Sequence, residues 1–193
     1  MALYANPRKT RCVRHLGAVD ISAVRDAIVA IPESVWAGES ANKPNKYEAL
    51  GATQHVMFRF VSQVDDWRES YDLPVWSEWR ERLEPVLHEA TATYGYARGG
   101  FPRIMLARMP AGGVIHPHVD ANRSAAWPHK IHVPITTNSG VEFFVDPDTH
   151  HLQVGQAYEV NNRGLHAVRN AGQQPRIHLI FEYYDLDQPV ENF

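Results

Sequence analysis

From Asp20 onward, apolar residues fall at Ile21, Val24, Ile28 and Ile31, the three-and-four spacing of a helix with one buried face. Asp20 or Ser22 is placed to cap this helix and Pro32 to stop it. A second helix is expected from about Val75 to Tyr94, with Trp76, Trp79, Leu83, Leu87 and Ala90 along one stripe. Pro85 lies within it and should kink or divide it, because proline lacks the N–H and its ring crowds the carbonyl four residues back. Between the two, His55 to Phe60 has the character of a strand, and Lys43 to Gln54 that of a loop.

After Gly99-Gly100 the pattern changes to short strands: Phe101–Met109, Val114–His118, Lys130–Thr136, Val141–Val145, Gln156–Val160, His166–Asn170 and Arg176–Tyr184. Turn residues separate most of them, at Pro110–Gly113, Asn138–Gly140, Asp146–Asp148 and Asn170–Gly172. Many short strands after helices predict a mainly β fold with α, an antiparallel sandwich or jelly roll with N-terminal helices on one outer face. Several strands are apolar on both sides, as expected where one face lines a cavity and the other lies under helices. One domain over residues 1–193 is expected, with 1–98 the helical and substrate-side region and 99–185 the β core.

Composition narrows the function classes. Hydrophobic residues make up 44% and charged residues 21%, an ordinary globular mix. The net charge of -3, with no block of Lys or Arg, argues against a nucleic-acid backbone as partner. Cys12 stands alone, so neither a disulfide framework nor a thiolate zinc cluster is expected. Met1 to Val13 is polar and basic, unlike a signal peptide, and no stretch is apolar enough to cross a bilayer, so a cytoplasmic protein is the expectation. Of 11 histidines, seven lie between His116 and His166.

That density directs attention to His116-Pro117-His118-Val119-Asp120. Residues two apart on a strand share a face, so His118 and Asp120 can aim at one point from about 6–7 Å apart along the backbone. His166, 46 residues after Asp120, can return on a facing strand and complete a two-histidine, one-carboxylate set with open positions opposite. Ten residues further, Arg176 opens an apolar strand and offers a planar fork for a carboxylate, with His178 on the same face and Ile177, Leu179, Phe181 and Tyr183 on the other. Lys130 and His132 share one face of their strand in the same way. His116 is a surface residue, a support to the metal ligands or a substrate contact. His150-His151 is a solvated turn, and Asn161-Asn162 closes a hairpin near the metal.

From Ile104 to Tyr184 the sequence resembles the aspartyl/asparaginyl β-hydroxylase family, including its proline-hydroxylase-like bacterial members. The likeness runs through Pro110–Asp120, Lys130–Ile135, Gly155–Asn170 and Arg176–Tyr183. It implies a double-stranded β-helix with Fe(II) at His118, Asp120 and His166. It implies that 2-oxoglutarate chelates the iron while Arg176 grips its distal carboxylate, with His132 and Lys130 beside it, and that O2 is the second cosubstrate. The reaction implied is hydroxylation coupled to conversion of 2-oxoglutarate to succinate.

Two departures stand out. Lys130 occupies a place where the family often has arginine, and Ala107 one where some members have serine. The retained Asp120 argues against a halogenase. A cupin-type metal protein is the main rival, but no glutamate follows Asp120 where its motif needs one, and a cupin has no requirement for Arg176. A non-catalytic binding module on the same barrel is the other alternative. The substrate expected is an amino acid or a residue in a small peptide, with loops Lys43–Gln54 and Ala121–Pro128 contributing contacts; oligomeric state is not legible.

Overall fold

A computed structural model describes residues 6–44, 46–47 and 50–188. Met1 to Ala5 of the N-terminal stretch, and residues 45, 48 and 49 of the loop expected over Lys43–Gln54, therefore lie outside the described residues. The elements in chain order are β1 (Val13–Ala18), α1 (Ser22–Val29), α2 (Glu33–Asn42), β2 (Gln54–Gln63), β3 (Asp66–Asp72), α3 (Trp76–Thr91), β4 (Gly99–Gly100), β5 (Ile104–Met109), β6 (Val114–His118), α4 (Arg123–Ala126), β7 (His129–Thr136), β8 (Val141–Val145), β9 (Asp148–His150), β10 (Gln156–Val160), β11 (His166–Asn170) and β12 (Arg176–Asp185).

Among the described residues, all strand pairings are antiparallel and form two sheets. The larger runs β1-β10-β7-β12-β5-β2-β3, with β4 also on β12, and the smaller runs β6-β11-β8-β9. The interleaving of late strands between early ones is the jelly roll that the strand pattern predicts. Strand β12 explains itself: with β7 on one side and β5 on the other, and both faces covered, nine of its ten residues are buried.

Alternation along the strands divides the interior in two. Ile131, Val133 and Ile135 of β7, with Ile177, Leu179 and Phe181 of β12, turn outward. They share one core cluster with Val24 and Ile28 of α1, Trp36 of α2, and Trp76, Leu83, Leu87 and Ala90 of α3. The opposite parity faces between the sheets. There, Met109, Ile115, Val141, Phe143, Val145, Val160 and Val168 form a second cluster. Among the described residues, no helix is long and apolar enough to cross a membrane.

The structure departs from the sequence expectation where burial does not write a period into the chain. Besides the expected strand at His55–Phe60, which lies within β2, the first 98 residues supply the strands β1 and β3. β3 (DWRESYD) is polar and largely exposed, an edge strand held by its pairing with β2, so it carries no apolar alternation. Helix α2 buries only Trp36, and Pro32, which ends the turn after α1, also begins α2 from its N-terminal side. Pro85 does not divide α3. It lies on the exposed face, where water can take the carbonyl it leaves free, while Leu83, Val86 and Leu87 hold the buried face together.

Candidate metal and anion site

Strands β6 and β11 pair so that His118 and His166 stand directly opposite each other at one end of the smaller sheet, next to an irregularity in the register. Their rings approach with centroids 4.2 Å apart. Asp120 follows two residues beyond the strand, and its backbone is clamped by the loop leading into β11. Its N–H donates to the Asn162 carbonyl at 2.9 Å, and the Arg163 guanidinium donates to its carbonyl at 2.6 Å. The sequence-predicted trio is thereby gathered: ligand atoms of His118, Asp120 and His166 all lie within 4.8 Å of one another.

The hydrogen bonds decide which atoms are free. His118 Nδ1 lies 2.8 Å from the His116 carbonyl, and His166 Nδ1 lies 3.0 Å from the Gly164 carbonyl. A carbonyl only accepts, so each Nδ1 carries the proton and each Nε2 presents its lone pair. On Asp120, Oδ2 accepts from Lys130 Nζ at 3.2 Å and Asn162 Nδ2 at 3.1 Å, while Oδ1 faces His118 Nε2 at 3.8 Å. Burial opposes the Asp120 charge, but Lys130 and the Asn162 amide outweigh it and hold the carboxyl well below its ordinary range. Burial pushes His166 down, towards the neutral ring that a metal requires. Two imidazole nitrogens and one ionised oxygen converging in this way fit a divalent iron site.

Supporting residues were missed by the sequence reading. Lys9, in the segment before β1, donates to Asn162 Oδ1 at 2.7 Å and to the carbonyls of Pro128 at 2.6 Å and Ala125 at 3.0 Å. It thus fixes both Asn162 and the Ala121–Pro128 loop. Behind Lys130 is Glu182, 3.9 Å away, which pairs with Arg103 at 2.5 Å. Arg103, Glu182, Lys130 and Asp120 form a chain of alternating charges leading to the His118–Asp120–His166 cluster. Lone charged residues in strands carry no signal of such partners. Asn161-Asn162 does not close the expected hairpin: β10 and β11, which it joins, lie in different sheets and do not pair, so the loop crosses between sheets. His116 contributes its carbonyl while its side chain is exposed.

The His118–Asp120–His166 cluster opens into a cavity of about 110 Å³, lined also by Lys130, His132, Arg176, Phe143, Val160 and Ile180. All six sequence-predicted site residues therefore border one cavity. Arg176 is only 1% exposed. Its Nη2 donates to His178 Nδ1 at 2.7 Å, its Nε has no partner, and among the described residues no carboxylate pairs with it. Because His178 Nδ1 accepts that bond, its proton sits on Nε2, which is also buried and unpartnered. His132 Nδ1 lies 3.3 Å from the same His178 nitrogen. Burial followed by the Arg176 charge keeps both rings far below their ordinary pKa, and burial lowers Arg176 itself to about 9. A desolvated guanidinium with an orphaned N–H fits an anion, and a carboxylate matches its planar fork.

At the mouth, Tyr47 and Asn122 come from the two loops expected to contribute substrate contacts, and they meet: Asn122 Nδ2 donates to the Tyr47 hydroxyl at 2.6 Å.

Residues 47–185, most of the chain, match the family described as aspartyl/asparaginyl beta-hydroxylase. Among solved structures, the chain is similar to an oxidoreductase of the 2OG-Fe(II) oxygenase family from Burkholderia pseudomallei, at 16% identity and a TM-score of 0.53. That likeness covers 68% of this chain and 65% of the other, just under two thirds of its length. The chain is also similar to the viral collagen prolyl hydroxylase of Paramecium Bursaria Chlorella virus-1 in its 2OG complex, at 12% identity and a TM-score of 0.57, over 90% and 96% of the two chains. At such identities these two likenesses speak for the fold. No curated protein matches the sequence. The family match rests on the sequence itself: this chain belongs to the aspartyl/asparaginyl β-hydroxylase family.

Proposed function

We propose that this protein hydroxylates a C–H bond of an amino acid, free or within a small peptide, while 2-oxoglutarate is oxidatively decarboxylated to succinate. In this reading His118, Asp120 and His166 hold the iron, Arg176 takes the distal carboxylate of 2-oxoglutarate, and His132 and Lys130 flank the cosubstrate. One observation carries it: a single cavity holds three converging donors with free lone pairs and a buried guanidinium lacking a counter-charge.

When bound, iron supplies the redox chemistry, activation of O2 with electrons from 2-oxoglutarate. The protein's part is positional and electrostatic. Bonds from Nδ1 to the His116 and Gly164 carbonyls stop the two rings from turning and raise the donor strength of Nε2. Lys130 and Asn162 occupy one oxygen of Asp120 and leave the other for metal. Arg176 orients the cosubstrate by its far end, and the apolar walls Ile115, Val160, Val168 and Ile180 exclude water. The small cavity suits an amino-acid side chain, and a substrate entering past the Tyr47–Asn122 contact would have to part it.

The test is anaerobic addition of Fe(II) and 2-oxoglutarate, expected to give a weak visible charge-transfer band. A panel of amino acids and short peptides should then stimulate succinate formation under oxygen. Absence of the band, with no succinate from any member of the panel, would overturn the proposal.

A further inference from the structure

A second group of potential ligands lies away from this cavity. Cys12 Sγ is 3.4 Å from His150 Nε2 and 3.9 Å from Asp148 Oδ2, and the three ligand atoms all lie within 4.8 Å of one another. Asp148 and His150 are two apart on β9 and so point the same way. Cys12 immediately precedes β1. Because β1 is the outer strand of the larger sheet and β9 that of the smaller, the cluster sits where the edges of the two sheets meet.

We propose that Cys12, Asp148 and His150 form a second metal site, for a zinc-like divalent ion, that clasps the two sheet edges together. Tetrahedral coordination with ordinary Zn–S, Zn–N and Zn–O bonds places sulfur about 3.6 Å from each of the other two donors. The 3.4 and 3.9 Å separations bracket that value, and the third pair, Asp148 and His150, is held within 4.8 Å. The thiolate selects zinc-like over magnesium-like ions, and one thiolate with one carboxylate neutralises a divalent charge. Counting cysteines in the sequence hides the site, because it uses one sulfur and takes its other two donors from a strand too short to show a pattern.

The clasp also bears on the first site. The Cys12 carbonyl accepts the Asn161 N–H at 2.8 Å, and the Arg11 carbonyl accepts from the Asn161 side chain at 2.9 Å. Asn161 in turn caps the loop through the Arg163 and Gly164 N–H groups. This loop carries Asn162 and the carbonyl that orients His166. An ion on Cys12 would therefore tether the backbone supporting the iron ligands.

Cobalt(II) discriminates the two sites, since only the proposed one contains sulfur. Titrating the full chain with Co(II) should give a sulfur-to-cobalt charge-transfer band in the near ultraviolet and a second bound equivalent. The band should persist in His118→Ala and disappear, with that equivalent, in Cys12→Ser; Asp148→Asn and His150→Gln should weaken binding at this site at least about 10-fold. Zinc should raise the thermal midpoint of His118→Ala but not of a Cys12→Ser/His118→Ala double variant. No sulfur-to-cobalt band at saturation in the wild-type protein, or a band indifferent to both Asp148→Asn and His150→Gln, would overturn the proposal.

Discussion

The two ends of the cavity are built on opposite principles. At the end formed by His118, Asp120 and His166, hydrogen bonds occupy the outward-facing atoms: both Nδ1 atoms and one Asp120 oxygen are engaged, and the negative charge is matched by Lys130. At the other end, Arg176 is fully enclosed with no carboxylate against it, and orphaned N–H groups remain on Arg176 and His178. The contrast teaches that the first end is electrically balanced and shaped before any ligand arrives. The second carries an unpaid desolvation penalty that an anion relieves. The first end should govern what is held permanently, and the second what comes and goes with each turnover.

The sharpest break of this comparison sets His166→Ala against Arg176→Met. The first should abolish iron binding and turnover together. The second should leave iron binding intact while weakening 2-oxoglutarate roughly 100-fold, the worth of about 3 kcal/mol in charge-assisted hydrogen bonds. Removal of an unpaired buried charge should also raise the thermal midpoint of ligand-free Arg176→Met, by a few degrees per kcal/mol recovered. Calorimetric titration of each ligand and a melting curve check both halves. Loss of iron from Arg176→Met with normal 2-oxoglutarate affinity would reverse the assignment of the two ends.

A smaller effect is expected from Asn162→Ala, which removes a support of Asp120 without touching a ligand atom. Metal affinity should fall about 10–100-fold with 2-oxoglutarate affinity per iron-loaded protein unchanged. An equal loss at both ends would mean that they are not separable.

The smallest effect concerns Lys9. Burial lowers its pKa from 10.5 to about 8, against the pull of Glu182 and Glu159. Below about 8 the group is charged in folded and unfolded chains alike, and its penalty is constant. Between about 8 and 10.5 the folded chain releases this proton while the unfolded chain keeps it, so the Lys9 contribution to stability improves as pH rises. The difference in thermal midpoint between wild type and Lys9→Met should therefore drift in favour of wild type across that window. A flat difference would place the ammonium in water.

The legible parts of this molecule are those with a period or a fixed spacing. Strands β6, β8, β10 and β11 agree with expectation residue for residue, because each alternates between a buried face and a more exposed one. The six cavity residues were readable from strand parity, through which Lys130 and His132, or Arg176 and its neighbours, must share a face. What was not readable depends on partners far away in the chain. Lys9 meets Asn162 across 153 residues, and Arg103 meets Glu182 across 79, and neither residue type announces such a contact. Strands β1, β3 and β9 stand at sheet edges, where half the hydrogen bonds and much of the burial that would shape a pattern are missing.

The alternating run Arg103–Glu182–Lys130–Asp120 constrains how this lineage can drift. A change of sign at any one position strands a neighbouring charge in a dry interior, so single substitutions there should be purged and compensated pairs retained. Positions 103, 130 and 182 should accordingly vary as a unit among relatives, changing together or not at all, while Asp120 stays still.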